Sequence, residues 1–145
     1  MNILVIHGPN LNLLGIREPH VYGRTTLEEI NQMIQERARQ RNVTVKIVQY
    51  SSEGDIIDEI HRAREWADGI VINPGAYTHY SIAIRDALSA VNLPTVEVHI
   101  SNIFKREKFR HKSVISPVVD GVISGLGYLG YLYAIDYLVD RKKLG

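Results

Sequence analysis

Three polar groups each follow a short apolar run. "HGPNLNLLGIREPHVYG", from His7 to Gly23, follows "NILVI"; Asn73 to His79 closes "GIVIN"; and Glu97 to Asn102 closes "PTV". They contain residue types suited to proton chemistry. Tyr22 and Arg17 lie in the first group, and a tyrosine beside a guanidinium can serve as a base because the cation favours the phenolate. Glu97 and His99 are two apart on an extended run and leave the same face. The carboxylate can then hold one imidazole nitrogen while the ring donates or accepts a proton. Asn10 and Asn73 can hydrogen-bond an enolate, a hydroxyl or a water without adding charge. Ser101 and the peptide N–H groups around it, with Arg106 and Arg110 beyond, can receive an anion. A base, an acid, neutral oxyanion donors and an anion site together match proton abstraction beside a carbonyl, followed by loss of hydroxide. Taken singly, each has a plainer use: turn asparagines, a histidine satisfied at a strand end, a serine cap.

Such convergence needs a scaffold, and the apolar patterning supplies one. Runs rich in β-branched residues, "NILVI", "VTVKIVQY", "GIVIN", "PTVEVHI" and "VDGVIS", alternate with helical patterns, as in a parallel sheet covered on both faces. Thr26 opens the first helix with Glu29 at capping-box spacing, and Leu27, Ile30, Ile34 and Ala38 then recur on one face. Further helices fit "DIIDEIHRAREWA", "YSIAIRDALSAV" and "YLGYLYAIDYLVDRKKL". The alternation implies one α/β domain over residues 1–145, a doubly wound five-stranded parallel sheet with helices on both faces. In such a sheet ligands bind beyond the carboxyl ends of the strands, and all three polar groups fall there. The first is long for a βα connection, usually roughly 2 to 6 residues, which suits a lid.

Composition bounds the class of function. The 145 residues, 45% hydrophobic, suit one core, and a net charge of +1 offers no global field for nucleic acid. Lys105, Arg106, Lys108 and Arg110 form only a local basic cluster, so the anionic partner expected is a small molecule. The lack of cysteine excludes disulfides, thiolate metal sites and cysteine nucleophiles, and fits a cytoplasmic location. No run reaches the roughly 18 uncharged apolar residues of a membrane span, and no signal segment opens the chain, so no membrane partner is expected. The histidines lack the spacing of a zinc site, and neither a G-x-S-x-G elbow nor a P-loop occurs. No catalytic zinc is expected.

The stretches "GPNLNLLGIREPHVYG", "INPGAYTHYSIAIRDAL" and "VEVHISNIFKREKFRHKS", followed by "GVISGLGYLGYLYAIDYL", together resemble type II 3-dehydroquinate dehydratase, an enzyme of the shikimate pathway. The resemblance spans nearly the whole chain. It implies a flavodoxin-like fold with strand order 2-1-3-4-5, and loss of water from 3-dehydroquinate by anti elimination through an enolate, without metal or cofactor. It makes Tyr22 the base for the C2 proton, with Arg17 beside it on the lid. Arg106 corresponds to a second arginine near that tyrosine, and Asp86 to an aspartate supplied by the neighbouring subunit. Asn10 would hold the water that stabilises the enolate oxygen, and His99, oriented by Glu97, would be the acid for the departing C1 hydroxyl. Asn73, His79, Arg110 and the backbone of Ile100 and Ser101 would anchor the substrate, the last gripping its carboxylate. Family members assemble as trimers that associate into dodecamers, so a homo-oligomer is implied. Two positions depart from the family pattern: His7 stands where asparagine is more usual, and Tyr80 where a small hydroxyl residue is. Both bear on the pocket wall or lid packing rather than on a catalytic group.

A different class is offered by "GLGYLG", Gly125 to Gly130, which reads G-x-G-x-x-G after a strand and before a helix. It would make a dinucleotide- or flavin-binding module. Yet no further strand follows with an acidic residue at its tip to hold a ribose, and close strand-to-helix packing accounts for the glycines. A flavodoxin-like carrier would need a hydroxyl-rich phosphate loop after the first strand, where this chain has asparagine and leucine. A lysine Schiff base is not expected either, since nothing in the sequence suggests a lysine buried among apolar neighbours. Tyr128, Tyr131, Tyr133 and Tyr137 partly follow helical spacing with Leu132, Ile135 and Leu138, and are assigned to core or subunit contact.

Overall fold

Each apolar run becomes a strand of one parallel sheet. The computed structural model describes residues 1–144. In it β1 (Asn2–His7), β2 (Thr44–Gln49), β3 (Gly69–Asn73), β4 (Thr95–His99) and β5 (Gly121–Ser124) lie in the order β2-β1-β3-β4-β5. Every pairing is parallel. The expected order 2-1-3-4-5, that of a flavodoxin-like fold, is the one found. From β1 the chain moves to β2 on one side and then crosses to β3 on the other, so strand order reverses between β1 and β3 and opens a crevice beyond their carboxyl ends.

Among the described residues five α-helices accompany the strands: α1 (Pro19–Tyr22), α2 (Leu27–Gln40), α3 (Glu53–Ala63), α4 (Ile82–Val91) and α5 (Leu129–Asp140). Side-chain alternation divides the core in two. Ile3, Val5, Val71, Val96 and Val98 pack with Ile30 and Ile34 of α2 and with Ile135 and Leu138 of α5. On the opposite face Leu4, Ile6, Ile70 and Ile72 pack with Ile56 and Ile60 of α3 and with Ile84 and Leu88 of α4. Central strands buried on both faces are the reason β1 and β3 read as continuous apolar runs. Each fully buried Ile or Leu stabilises the fold by about 1.5 to 3 kcal/mol, which makes the sheet a firm base for the loops at its edge.

Local signals explain where the helices begin. Thr26 Oγ1 accepts the Glu29 N–H at 3.2 Å and Glu29 Oε1 accepts the Thr26 N–H at 3.3 Å, the reciprocal capping box expected from the sequence. α3 begins at Glu53, earlier than its apolar pattern, because Ser52 Oγ accepts the Asp55 N–H at 3.4 Å. α4 begins later, at Ile82, because Ser81 Oγ takes the cap position and accepts the Ile84 N–H at 3.1 Å. α5 ends at Asp140 and a 3-10 turn runs over Arg141–Leu144. Gly145, included in the expected domain, lies outside the described residues. Among those described, no helix is long and apolar enough to cross a membrane.

Candidate active site

Beyond β1, β3 and β4 the chain makes short 3-10 turns instead of passing straight into long helices: Leu11–Leu13, Gly75–His79, Ile103–Lys105 and Lys108–Arg110. These turns and α1 enclose a cavity of about 230 Å3. Its walls include Asn10, Arg17, Tyr22, Asn73, His79, His99, Ile100, Ser101, Arg106 and Arg110, every residue nominated from sequence except Glu97 and Asp86. Glu97 sits directly behind His99, whereas Asp86 is exposed on α4 and does not line this chain's cavity. The first and second loops are joined at their roots, where the Gly8 N–H donates to the Asn73 carbonyl at 2.8 Å. A Cβ at Gly8 would stand 2.5 Å from the Pro74 oxygen, so only glycine permits this approach. Larger depressions, about 530 and 480 Å3, run along α2, but titratable side chains there pair with each other, as Glu36 does with Arg39.

Tyr22 ends α1, a single turn with Pro19 at its start and Gly23 at its close. Arg106 Nη1 donates to Tyr22 Oη at 2.6 Å. The guanidinium carbons of Arg17 and Arg106 lie 5.0 and 5.1 Å from the centroid of the tyrosine ring. The sequence paired Tyr22 foremost with Arg17; in the structure Arg17 packs on the ring and Arg106 makes the hydrogen bond. The reason lies in their anchoring. His111 Nε2 donates to the Arg106 carbonyl at 2.9 Å, holding that backbone under the phenol, while Arg17 faces Glu18 at 3.5 Å. Two cations therefore face one phenol, an arrangement that stabilises negative charge on its oxygen.

Glu97 is fully buried and His99 nearly so. His99 Nε2 lies 2.5 Å from Glu97 Oε2; an ionised carboxylate only accepts, so Nε2 carries the proton and Nδ1 is the nitrogen left for the cavity. Thr78, Ser113 and Ser116 also donate their hydroxyls to Glu97. Burial pushes the Glu97 carboxyl up, but the hydrogen bond and charge of His99, with Ser116 and Thr78, outweigh it and hold the pKa below the usual carboxylate value. A carboxylate with every lone pair engaged can stay ionised in such a place. Sequence reasoning did not find these hydroxyls. Thr78 lies inside "PGAYTH" and Ser113 and Ser116 lie beyond the basic cluster, with no spacing that separates them from turn residues.

The remaining wall is polar with little net acid. His79 Nδ1 donates to the Lys112 carbonyl at 2.8 Å, leaving Nε2 free to accept. Burial lowers the His79 pKa; the Lys112 carbonyl opposes this, and the charges of His99 and Arg110 add to it. The ring is therefore neutral at pH 7. Arg110 Nε is held by Glu107 Oε2 at 2.9 Å, and Arg106 Nη1 also reaches Ser101 Oγ at 3.4 Å. Asn10 adopts a left-handed backbone, φ 70°, which asparagine tolerates, and its side chain makes no cap hydrogen bond to the turn that follows. Asn73 is engaged on both sides: Oδ1 accepts the Gly75 N–H at 3.1 Å and Nδ2 donates to Tyr131 Oη at 2.9 Å.

Residues 1–139 match the family described as Dehydroquinase class II. The chain belongs to the class II dehydroquinase family. Among its relatives, the 3-dehydroquinate dehydratase of Roseiflexus castenholzii is 57% identical over 146 residues, covering 100% of this chain and 92% of that protein. That of Halothermothrix orenii is 59% identical over 143 residues, covering 99% and 97%. The crystal structure of type II dehydroquinase from Butyrivibrio crossotus has a TM-score of 0.94 at 55% identity, covering 95% of this chain and 97% of that one. Two of the three glycines of "GLGYLG" serve packing, while Gly127 serves a backbone turn at φ +61°. A Cβ at Gly125, where φ is +91°, would lie 2.8 Å from Asn102 Cβ, and one at Gly130 would lie 3.1 Å from Val98 Cγ1. The dinucleotide reading is thus not favoured, because the loop closes on Asn102 instead of opening to a phosphate. The departures from the dehydroquinase pattern separate: Tyr80 is exposed, while His7 is buried behind Asn73.

Proposed function

We propose that the cavity removes water from 3-dehydroquinate to give 3-dehydroshikimate, a step of the shikimate pathway, as the names of the curated relatives suggest. The observation that carries this reading is the meeting, on one cavity, of a phenol flanked by two guanidiniums with a carboxylate-held imidazole. Tyr22, as phenolate, takes the C2 proton, and the electron pair moves onto the C3 carbonyl oxygen as an enolate. Arg17 and Arg106 stabilise the charge on the phenol before transfer. Asn10, through a water, stabilises the enolate oxygen without adding charge. When the ketone re-forms, the C1–oxygen bond breaks and His99, taking part as an imidazolium with a proton on each nitrogen, gives the Nδ1 proton to the departing hydroxyl, which leaves as water. Glu97 holds the ring in place and balances its positive charge. Asn73 and His79 bind ring hydroxyls, and Arg110 with the Ile100 and Ser101 backbone holds the carboxylate. No metal or cofactor takes part.

The protein acts as one catalytic domain, in the cytoplasm, within a homo-oligomer built from trimers and assembled as a dodecamer. Asp86, exposed on α4 and outside its own chain's cavity, is the residue offered to a neighbour. The test is direct: 3-dehydroquinate is added and the conjugated enone product followed by ultraviolet absorbance. Turnover is expected. Its absence from folded, oligomeric protein, or tight binding of flavin or a dinucleotide, would contradict the reading.

A further inference from the structure

The orientation of Asn73 is determined by hydrogen bonds that run from the cavity wall into the core. The Gly75 N–H donates to Asn73 Oδ1 at 3.1 Å. A peptide N–H can only donate, so the amide oxygen is fixed on that side and Nδ2 must face Tyr131, whose hydroxyl oxygen accepts at 2.9 Å. At the far end Asn31 Oδ1 can only accept, so His7 Nε2 carries the proton and donates it at 2.8 Å. Neutral His7 then has Nδ1 unprotonated, and the Tyr131 hydroxyl donates to it at 3.0 Å. Every member has one polarity, fixed by the Gly75 N–H at one end and the Asn31 amide oxygen at the other. Strand register builds the chain: His7 and Asn73 are paired across β1 and β3, and their side chains share the face covered by α2 and α5, which supply Asn31 and Tyr131.

Neither His7 nor Tyr131 touches the reacting atoms in the reaction above. We infer that His7 and Tyr131 are positioning residues that hold the Asn73 amide in the one orientation that meets substrate, and so set substrate affinity from the core. The inference rests on the reading of Asn73 as a substrate anchor. The order of the chain resists two kinds of error. If the amide turned over, Nδ2 would oppose the Gly75 N–H, two donors facing each other where Asn73 is 3% exposed. If His7 gained a second proton, the Tyr131 hydroxyl would lose its acceptor. Burial lowers His7 to about 4 and raises Tyr131, so both stay neutral and the polarity holds through the neutral range.

The experiment combines kinetics with 15N NMR of the full-length protein. Tyr131→Phe and His7→Leu each remove a link, and KM for 3-dehydroquinate is expected to rise roughly tenfold, the worth of one lost oriented hydrogen bond, with kcat held within about twofold. His7→Asn restores a near-native KM, because its amide oxygen stands where Nδ1 stands and accepts the same proton. In an Asn73→Ala background Tyr131→Phe adds nothing to KM, since its target is gone. The His7 ring nitrogens report the proton on Nε2. An unchanged KM in folded Tyr131→Phe, additive effects in the Asn73→Ala background, or a proton on Nδ1 would each overturn the inference. If the wild-type protein does not turn over 3-dehydroquinate, the functional reading falls, and the His7 tautomer alone then decides whether the chain exists.

Discussion

Replacing Glu97 by glutamine separates charge from shape at the centre of the site. Glu97 Oε2 receives His99 and Thr78, Oε1 receives Ser116 at 2.6 Å, and Ser113 lies within 3.1 Å of both. In Glu97→Gln the amide oxygen can keep the place facing His99, whose Nε2–H can only donate. The new NH2 then faces Ser116, a hydroxyl that can turn round and accept. The packing survives and the negative charge behind the imidazole is lost. A hydrogen bond to a charged partner contributes about 1.5 to 3 kcal/mol, against a weaker neutral bond that remains. Spread over the barrier for hydroxide departure, the difference of about 1 to 1.5 kcal/mol corresponds to a fall in kcat of roughly 5- to 10-fold. Steady-state enone formation, with Tm measured on the same samples, is the assay. Glu97→Ala, by contrast, leaves three hydroxyls and His99 without an acceptor in a dry site, and should lower Tm markedly. If Glu97→Gln folded normally and kept kcat within about twofold, the carboxylate would have no electrostatic part in the reaction.

Other expectations follow from single contacts. Burial lowers His7 from 6.5 to about 4, so between those pH values the unfolded chain binds a proton that the folded chain refuses. This contribution to stability is complete above pH 6.5 and is lost as the pH falls toward 4, by about 3 kcal/mol in all. Tm should therefore drop less steeply over that range in His7→Asn than in the wild type, and parallel curves would contradict the burial argument. Thr26→Ala removes the capping box of α2 and should cost about 1 kcal/mol in urea unfolding, with kcat unchanged. Gly125→Ala combines a positive φ with contact against Asn102, and its loss of stability should exceed about 1 kcal/mol, while nucleotides bind neither form.

The architecture was legible because the hydrophobic pattern and the strand count leave few alternatives. "GIVIN" is the whole of β3, and Thr26 with Glu29 marks the start of α2 without ambiguity. Helix starts at Ser52 and Ser81 were displaced because a serine cap weighs more than the first apolar residue. The cavity wall was legible because it is made of strand ends and the loops that follow them, and topology gathers these at one edge of the sheet. What stayed hidden are groups brought in from distant segments by hydrogen bonds without any fixed spacing. Thr78, Ser113 and Ser116 look like turn residues until Glu97 is placed among them. The family resemblance already set Arg106 near Tyr22, but charge alone did not separate it from its basic neighbours, and its hydrogen bond to the phenol shows only in the structure. His7 stood out as an unusual residue, yet its use depends on Asn31 and Tyr131, which lie in helices far along the chain.

The central claim is that Tyr22 takes a proton from carbon while the rest of the site only binds and assists. Its most direct test is hydrogen exchange at C2 of 3-dehydroquinate in deuterium oxide, followed by NMR for the wild type and Tyr22→Phe, with binding measured by calorimetry. Loss of C2 exchange in Tyr22→Phe, with substrate still bound, is the expected result. Exchange at the wild-type rate in the phenylalanine variant would show that the proton leaves to another group.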